Sequence, residues 1–316
     1  MRRIQYHRYG GPDTMRLEDF ALPAPQQGEV AVLVVAAAVN PIDWKVRAGE
    51  LKMMTGRSFP RAMGSDFSGT VTAIGPGVTG LKPGDQVYGI APLKSSGAFG
   101  EAVVVPASHL ALKPASLSFE QAAALATPAV MAFAGLVDRA HLQPGQRVFV
   151  NGATGGVGEA VVQLAHALGA TVTGTSGPAS TPRARALGID QVLDYTTVDP
   201  ADRADLHGAF DVVFDTGGFL PVKNAMRLLN KTGVFLDINA TPAKFGHAAV
   251  IRRHKIFFCK PDSQTLTTAA DRAAAGDIRM SVGETVPLEG ATELITGLET
   301  GRKIDGKGLI LAGRNN

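Results

Sequence analysis

The chain has 316 residues with a formal net charge of +3, and it is 45% hydrophobic and 19% charged, which fits a folded globular protein with room for two cores and excludes a disordered one. Its charge is modest and no dense Lys/Arg run is interleaved with aromatics, so a nucleic-acid groove is excluded as well. A single cysteine, Cys259, rules out intramolecular disulfides and a zinc site of several thiolates, and as a lone thiol it reads as a buried small hydrophobe in a reducing compartment.

Met1-Arg2-Arg3-Ile4 leads into no apolar signal region, and no run approaches the roughly 18 uninterrupted apolar residues of a membrane span, so no membrane span and a cytoplasmic location are expected. Up to about Lys113, strand-like runs at 29–39, 69–74, 86–90 and 101–105 alternate with Gly, Pro and Asp, the pattern of a compact, irregular β domain. In Pro83-Gly84-Asp85 the aspartate reads as the cap of its own turn. From Ser118 the chain becomes alanine-rich and helical, at 119–125 and again at 130–140. Beyond Gln143-Pro144-Gly145, strands at 147–150, 170–175, 191–193, 211–215 and 233–238 alternate with helices, which predicts a parallel, doubly wound sheet of the α/β class. The short basic cluster Arg252-Arg253-His254-Lys255 reads as a solvated loop or strand edge. Residues 276–312 return to short strands around one helix at 290–299. The expected domains are therefore 1–117, 118–260 and 261–316, the last rejoining the first.

The stretch from Val148 to Gly158 carries the most chemistry. An apolar strand stops on Asn151-Gly152-Ala153-Thr154-Gly155-Gly156-Val157-Gly158, and a helix over 159–168 follows. Ala153-x-Gly155-x-x-Gly158 is a G-x-G-x-x-G fingerprint with alanine first, in which backbone N–H groups and the positive helix end meet a dinucleotide pyrophosphate. Ala153, Thr154, Gly155, Gly156 and Val157 are the candidate cradle. The next strand ends in Thr175-Ser176-Gly177 with no Asp or Glu to take a ribose 2′-OH, and Arg183 and Arg185 follow. This favours NADPH over NADH, the arginines either meeting the 2′-phosphate or forming a solvated helix face. Tyr195 either covers the adenosine or closes a sheet edge.

Several stretches together resemble the medium-chain dehydrogenase/reductase superfamily: residues 39–49 (Val-Asn-Pro-Ile-Asp-Trp-Lys-Val-Arg-Ala-Gly), Gly64-Ser65-Asp66-Phe67-Ser68-Gly69, residues 82–89, Gly97-Ala98-Phe99-Gly100-Glu101 and the glycine turn. Within it the chain is similar to the zinc-free, zeta-crystallin-like quinone oxidoreductases, and in Asn-Pro-x-Asp-Trp-Lys to the chloroplast envelope homologues. Zinc-dependent relatives carry Cys where Asn40 stands and Gly-His-Glu where Gly64-Ser65-Asp66 stands, so no metal site is expected. The resemblance implies a GroES-like irregular β-barrel domain beside a Rossmann domain, NADPH as cofactor, and hydride transfer to a small quinone or enone. An enoyl-thioester reductase and a noncatalytic NADPH-binding sensor are the alternatives.

By the same resemblance, Asn40 lies near the nicotinamide ribose, Asp43 orients its neighbours, and Lys45, where many relatives have tyrosine, either hydrogen-bonds the acceptor oxygen or is a surface lysine. Trp44 is expected to pack. Thr127 lies where the family approaches the nicotinamide amide, or else caps a helix. Asp215 suits an adenine-side contact and Asn239 a nicotinamide-side contact, unless each only ends its strand. Residues 250–260 read as an outer strand whose edge, with family habit, implies a homodimer.

Overall fold

The computed structural model describes residues 1–239 and 241–312, all but the side chain of Pro242. The chain forms two compact units, one of Met1–Thr127, Pro261–Ala275 and Met280–Asn316, the other of Pro128–Lys260 and Gly276–Arg279. The first unit is an irregular, largely antiparallel β fold. Its elements begin with β1 (Arg2–Tyr6), β2 (Arg16–Asp19), β3 (Glu29–Ala38), α1 (Pro41–Ala48), α2 (Lys52–Thr55), β4 (Arg61–Ala62), β5 (Asp66–Ile74), β6 (Gln86–Ile90), β7 (Ala102–Pro106) and β8 (Leu110–Leu112). β3 is the hub, antiparallel to both β5 and β7. Its valines at positions 30, 32 and 34 all point into the core with Phe67, Val103 and Leu110, as the two-residue period of a strand requires. Trp44 packs on this cluster, and Asp85 Oδ2 accepts from the Lys82 N–H at 2.9 Å, closing its own turn.

A single helix, α3 (Phe119–Leu136), replaces the two expected at 119–125 and 130–140, because the chain stays helical through Pro128. Proline removes one N–H from the helix ladder, and next to it the Thr127 N–H donates to Asp66 Oδ2 at 3.1 Å. By length and composition α3 could cross a membrane; 72% of it is buried inside the protein.

The second unit contains β9 (Arg147–Asn151), α4 (Gly156–Ala167), β10 (Thr171–Ser176), α5 (Thr181–Ala186), β11 (Gln191–Asp194), β12 (Phe210–Asp215), α6 (Val222–Leu228), β13 (Leu229–Asp237), α7 (Pro242–Val250) and β14 (His254–Ile256). All pairs in the sheet are parallel, in the order β11-β10-β9-β12-β13-β14. The order reverses between β9 and β12, the place where doubly wound sheets bind nucleotides at their carboxyl ends. Val148, Phe149, Val150, Val213, Phe214, Phe235 and Leu236 are all fully buried, the mark of strands covered on both faces. The outer strand is shorter than expected: Thr241 Oγ1 caps α7 by accepting from Lys244 N, the helix takes residues up to Val250, and only 254–256 remain for β14. Cys259 lies just past that strand and is half-buried instead of buried.

α8 (Ser263–Ala274), β15 (Val282–Pro287), α9 (Ala291–Glu299) and β16 (Lys307–Leu311) return to the first unit, where β16 pairs with β3, Leu309 opposite Ala38.

Within α4, a Cβ on Gly158 would stand 2.1 Å from the Gly152 carbonyl oxygen and 2.9 Å from the Ala153 backbone. Backbone cannot swing aside as a side chain does, so Gly158→Ala should destabilise the protein by about 1–3 kcal/mol. A lowered urea midpoint with an unchanged slope would record it.

Candidate functional site

In the second unit the site is built at the carboxyl ends of β9, β10, β12 and β13. Gly152 has φ +79, and a Cβ there would meet Thr216 Oγ1 at 2.9 Å, so the first step off β9 requires glycine. Ala153 is buried, its N–H donating to the Thr175 carbonyl, while Gly155 is exposed and Thr154, Gly156 and Val157 are half-buried. Gly155 is the N-cap of α4 and has no side chain, which leaves the first-turn N–H groups approachable from solvent.

Thr175 and Ser176 are each 1% exposed, and their hydroxyls face inward. Thr175 Oγ1 accepts from Gly152 N and donates to Asn151 Oδ1, both at 2.9 Å; Ser176 Oγ lies 3.4 Å from Thr181 Oγ1. These residues therefore shape the turn. Of the two arginines, Arg183 stands beside it: Nη2 donates to the Thr154 carbonyl at 2.6 Å and Nη1 lies 3.4 Å from the buried Glu159 carboxylate. Arg185 is exposed on α5. Tyr195 is half exposed and its hydroxyl lies against Gly177, where a Cβ would come within 2.8 Å of it.

Asp215 is fully buried and accepts from Asn151 Nδ2, Gly218 N and Leu220 N at 2.9, 2.9 and 3.1 Å. Asn239 is half-buried, and its N–H donates to Asp237 Oδ1. Lys244 of α7 places Nζ 2.7 Å from Asp237 Oδ2 and 3.8 Å from Asp215 Oδ2. Burial pushes the Asp215 carboxyl above its ordinary range, with Asn151 opposing and the Asp237 charge reinforcing the rise. Behind Asp237 stand His254, Nε2 at 3.4 Å, and His247, whose Nδ1 is 3.2 Å from His254 Nδ1. Burial lowers the His254 pKa against the pull of Asp237.

The first unit contributes a second buried cluster. Asn40 is the N-cap of α1, and its backbone N–H donates to Asp43 Oδ2 at 2.8 Å; Ser65 Oγ donates to Asp43 Oδ1 at 3.1 Å. Asp66 at the start of β5 accepts from Thr127 Oγ1 at 2.5 Å as well as from Thr127 N. Thr127 thus sits inside α3 and caps no helix; Ser118 does that, its Oγ accepting from Gln121 N. Lys307 Nζ completes the cluster, donating to the Val39 carbonyl at 3.0 Å and to Asn40 Oδ1 at 2.5 Å. Lys45 lies half-buried on α1. Burial raises the Asp43 pKa to about 7, its Asn40 and Ser65 donors and Lys307 opposing and the Asp66 charge adding. Burial also raises Asp66, against Lys307 and Thr127.

The structure brings Asn40, Asp43 and Thr127 into one network and adds Ser65, Asp66 and Lys307, which sequence reasoning did not select. Ser65 and Asp66 were visible only as replacements in Gly64-Ser65-Asp66, and nothing local marked Lys307. In the second unit the unforeseen members are Asn151, Lys244 and His254.

Sequence models of two domain families match this chain: the alcohol dehydrogenase GroES-like domain over residues 26–115 and the zinc-binding dehydrogenase over residues 187–310. The chloroplastic quinone-oxidoreductase homolog of Spinacia oleracea is 32% identical over 249 residues, 77% of this chain and 76% of the spinach protein. The chain belongs to the quinone oxidoreductase family. The chain is also 38% identical to the 2-methylene-furan-3-one reductase of Solanum lycopersicum over 256 residues, 78% of this chain and 64% of the tomato protein. The Escherichia coli quinone oxidoreductase, solved complexed with NADPH, superposes with a TM-score of 0.83 at 26% identity, covering 98% of this chain and 100% of that one. Membership of this medium-chain dehydrogenase/reductase family makes the protein an oxidoreductase. Among the described residues no group of three or more His, Cys, Asp or Glu side chains is placed to hold a metal ion.

The raised Asp43 pKa has a defined sign. The folded state keeps its proton up to about pH 7 while the unfolded chain releases it near the ordinary value of 3.8, so this group makes stability fall as pH rises between those limits. Asp43→Asn, which cannot ionise, should flatten the fall in melting temperature between pH 5 and pH 7 (roughly the span between those two pKa values), leaving the slope that Asp66 contributes. Parallel curves for the two proteins would disprove an elevated Asp43.

Proposed function

We propose that this oxidoreductase transfers hydride from NADPH to a small quinone or α,β-unsaturated carbonyl without zinc. The observation that carries the cofactor reading is the end of β10, where Ser176-Gly177 replaces a carboxylate and Arg183 is anchored against the glycine turn. A carboxylate there would repel a 2′-phosphate, whereas a guanidinium attracts it. The exposed Gly155, a cap without a side chain at the start of α4, fits a pyrophosphate, and Tyr195 beside Gly177 offers a flat face to an adenosine. Bound there, NADPH supplies the hydride. Asp215 and Asn151 hold the loops on which it rests, and Asn239 lies at the end of the next strand.

The acceptor reading rests on the first unit's cluster, in which Asn40, Asp43, Ser65, Asp66 and Lys307 include no imidazole or thiolate. Such a set orients groups and exchanges protons, which suits an acceptor already electron-poor. Lys45, carried on α1 two residues beyond Asp43, is the candidate to stabilise the developing oxyanion. The tomato relative's name, a reductase of a 2-methylene-furan-3-one, points to enones of this kind. NADPH oxidation measured against quinones, enones and enoyl thioesters tests the reading: preferred turnover of thioesters would reassign it, and none at all would favour a cofactor-binding sensor.

Arg183→Ala should weaken NADPH binding by about tenfold or more while changing NADH affinity little, as fluorescence titration would record. An equal loss for both cofactors would mean that Arg183 serves only the turn.

We also propose a homodimer built on the edge strand β14. That edge is short, and Phe245, Val250 and Phe258 near it are 48%, 78% and 48% exposed. Light scattering at assay concentration is expected to give twice the chain mass, and Val250→Asp with Phe258→Asp is expected to halve it.

A further inference from the structure

Lys307 reaches the cluster from the far end of the chain. The pairing of β16 with β3 sets its first residue beside the Val39-Asn40 step, 267 residues away in sequence. The residue is 6% exposed, and a buried ammonium is costly unless every contact it makes is favourable. Two of its hydrogen bonds fall on consecutive residues, the Val39 carbonyl and the Asn40 carboxamide. Lysine only donates, so the Asn40 amide must turn Oδ1 to the ammonium and Nδ2 away, toward the Ala38 carbonyl at 3.4 Å and the Asp66 carboxylate, to which the Asn40 side chain also donates. Asn40 in turn gives its backbone N–H to Asp43, the third residue of α1.

We infer that Lys307 is a positioning residue of the reductase site, its ammonium fixing the Asn40 carboxamide and, through it, the start of the helix that carries Asp43 and Lys45. The inference rests on the reductase reading above. Its rival is that the lysine only neutralises Asp43 and Asp66, both of which it pulls toward the charged form. The two differ in what a charge-balanced protein does. Lys307→Met combined with Asp66→Asn removes one charge of each sign; residue 66 keeps an amide oxygen for the Asn40 side chain, while Oδ1 of Asn40 loses the ammonium.

The experiment uses the full chain, with kinetics on the best acceptor and amide exchange by NMR. Lys307→Met is expected to lower kcat by about tenfold with the KM for NADPH changed less than about twofold, and the charge-balanced double variant to recover thermal stability without recovering kcat. In an Asn40→Ala background, Lys307→Met should change kcat by less than about twofold, because the group it acts through is gone. The Asn40 side-chain amide, assigned by its loss in Asn40→Ala, should exchange slowly in the wild type and quickly in Lys307→Met. If Lys307→Met does not fold, Lys307→Arg, which keeps the charge but not the compact ammonium, is expected to show the same losses. Full kcat in folded Lys307→Met, kcat restored by the charge-balanced pair, or equal losses with and without Asn40 would each overturn the inference. A wild type inactive on every acceptor would overturn the reductase reading instead, and the Asn40 amide exchange would then decide the lysine's hold by itself, an unchanged rate in Lys307→Met sinking it.

Discussion

Each unit buries two carboxylates against one lysine, and the loops at the strand ends and helix starts hang from those carboxylates. Asp43 and Asp66 face Lys307 in the first unit; Asp215 and Asp237 face Lys244 in the second. All four are 5% exposed or less. Their oxygens accept from the N–H groups of Asn40, Thr127, Gly218, Leu220 and Asn239, that is, from backbone that has just left a strand or is about to enter or pass a break in a helix. Buried N–H groups left without acceptors cost about 1–3 kcal/mol each, so a loop held this way has one conformation of low energy.

Apolar residues of similar volume would often be more stable in such places, because desolvation of a charge can outweigh its pairing. What the carboxylates supply is direction. From Asp215 a chain of three 2.9 Å hydrogen bonds runs through Asn151 and Thr175 to the N–H of Gly152, linking the ends of β12, β9 and β10. Gly152, at φ +79, is the first residue of the glycine turn. The turn therefore owes its shape to side chains from three strands as much as to its glycines.

Local signals were legible in the sequence and long-range ones were not. The glycine turn lies within one stretch of strand, turn and helix, and β6 falls on the run that its composition picks out. A sequence does not show which way a strand's last side chains turn; in the fold Thr175 and Ser176 are both buried. Arg183 and Arg185 were indistinguishable for the same reason: two residues apart on a helix, they point in nearly opposite directions, and only one meets the turn. Asp66 and Lys307 acquire their roles from contacts 61 and 267 residues away, which no pattern in either neighbourhood announces. Pro128 misled in the other direction, since a proline reads as a helix end unless the freed backbone finds another partner.

The two helix starts at issue share an electrostatic design. A cation beside a helix N-terminus is opposed by the helix dipole, and an acidic residue in the first turn is favoured by it. α1 carries Asp43 in that turn with Lys307 near its cap, and α4 carries the buried Glu159 in that turn with Arg183 beside its entrance. In each case the cation reaches a backbone carbonyl just before the helix, Val39 in one and Thr154 in the other. The acidic residue makes the cation tolerable there, and the cation fixes the approach of the chain. Both helix starts are thus set by the protein's own side chains before any ligand arrives, and binding then has less conformational entropy to lose.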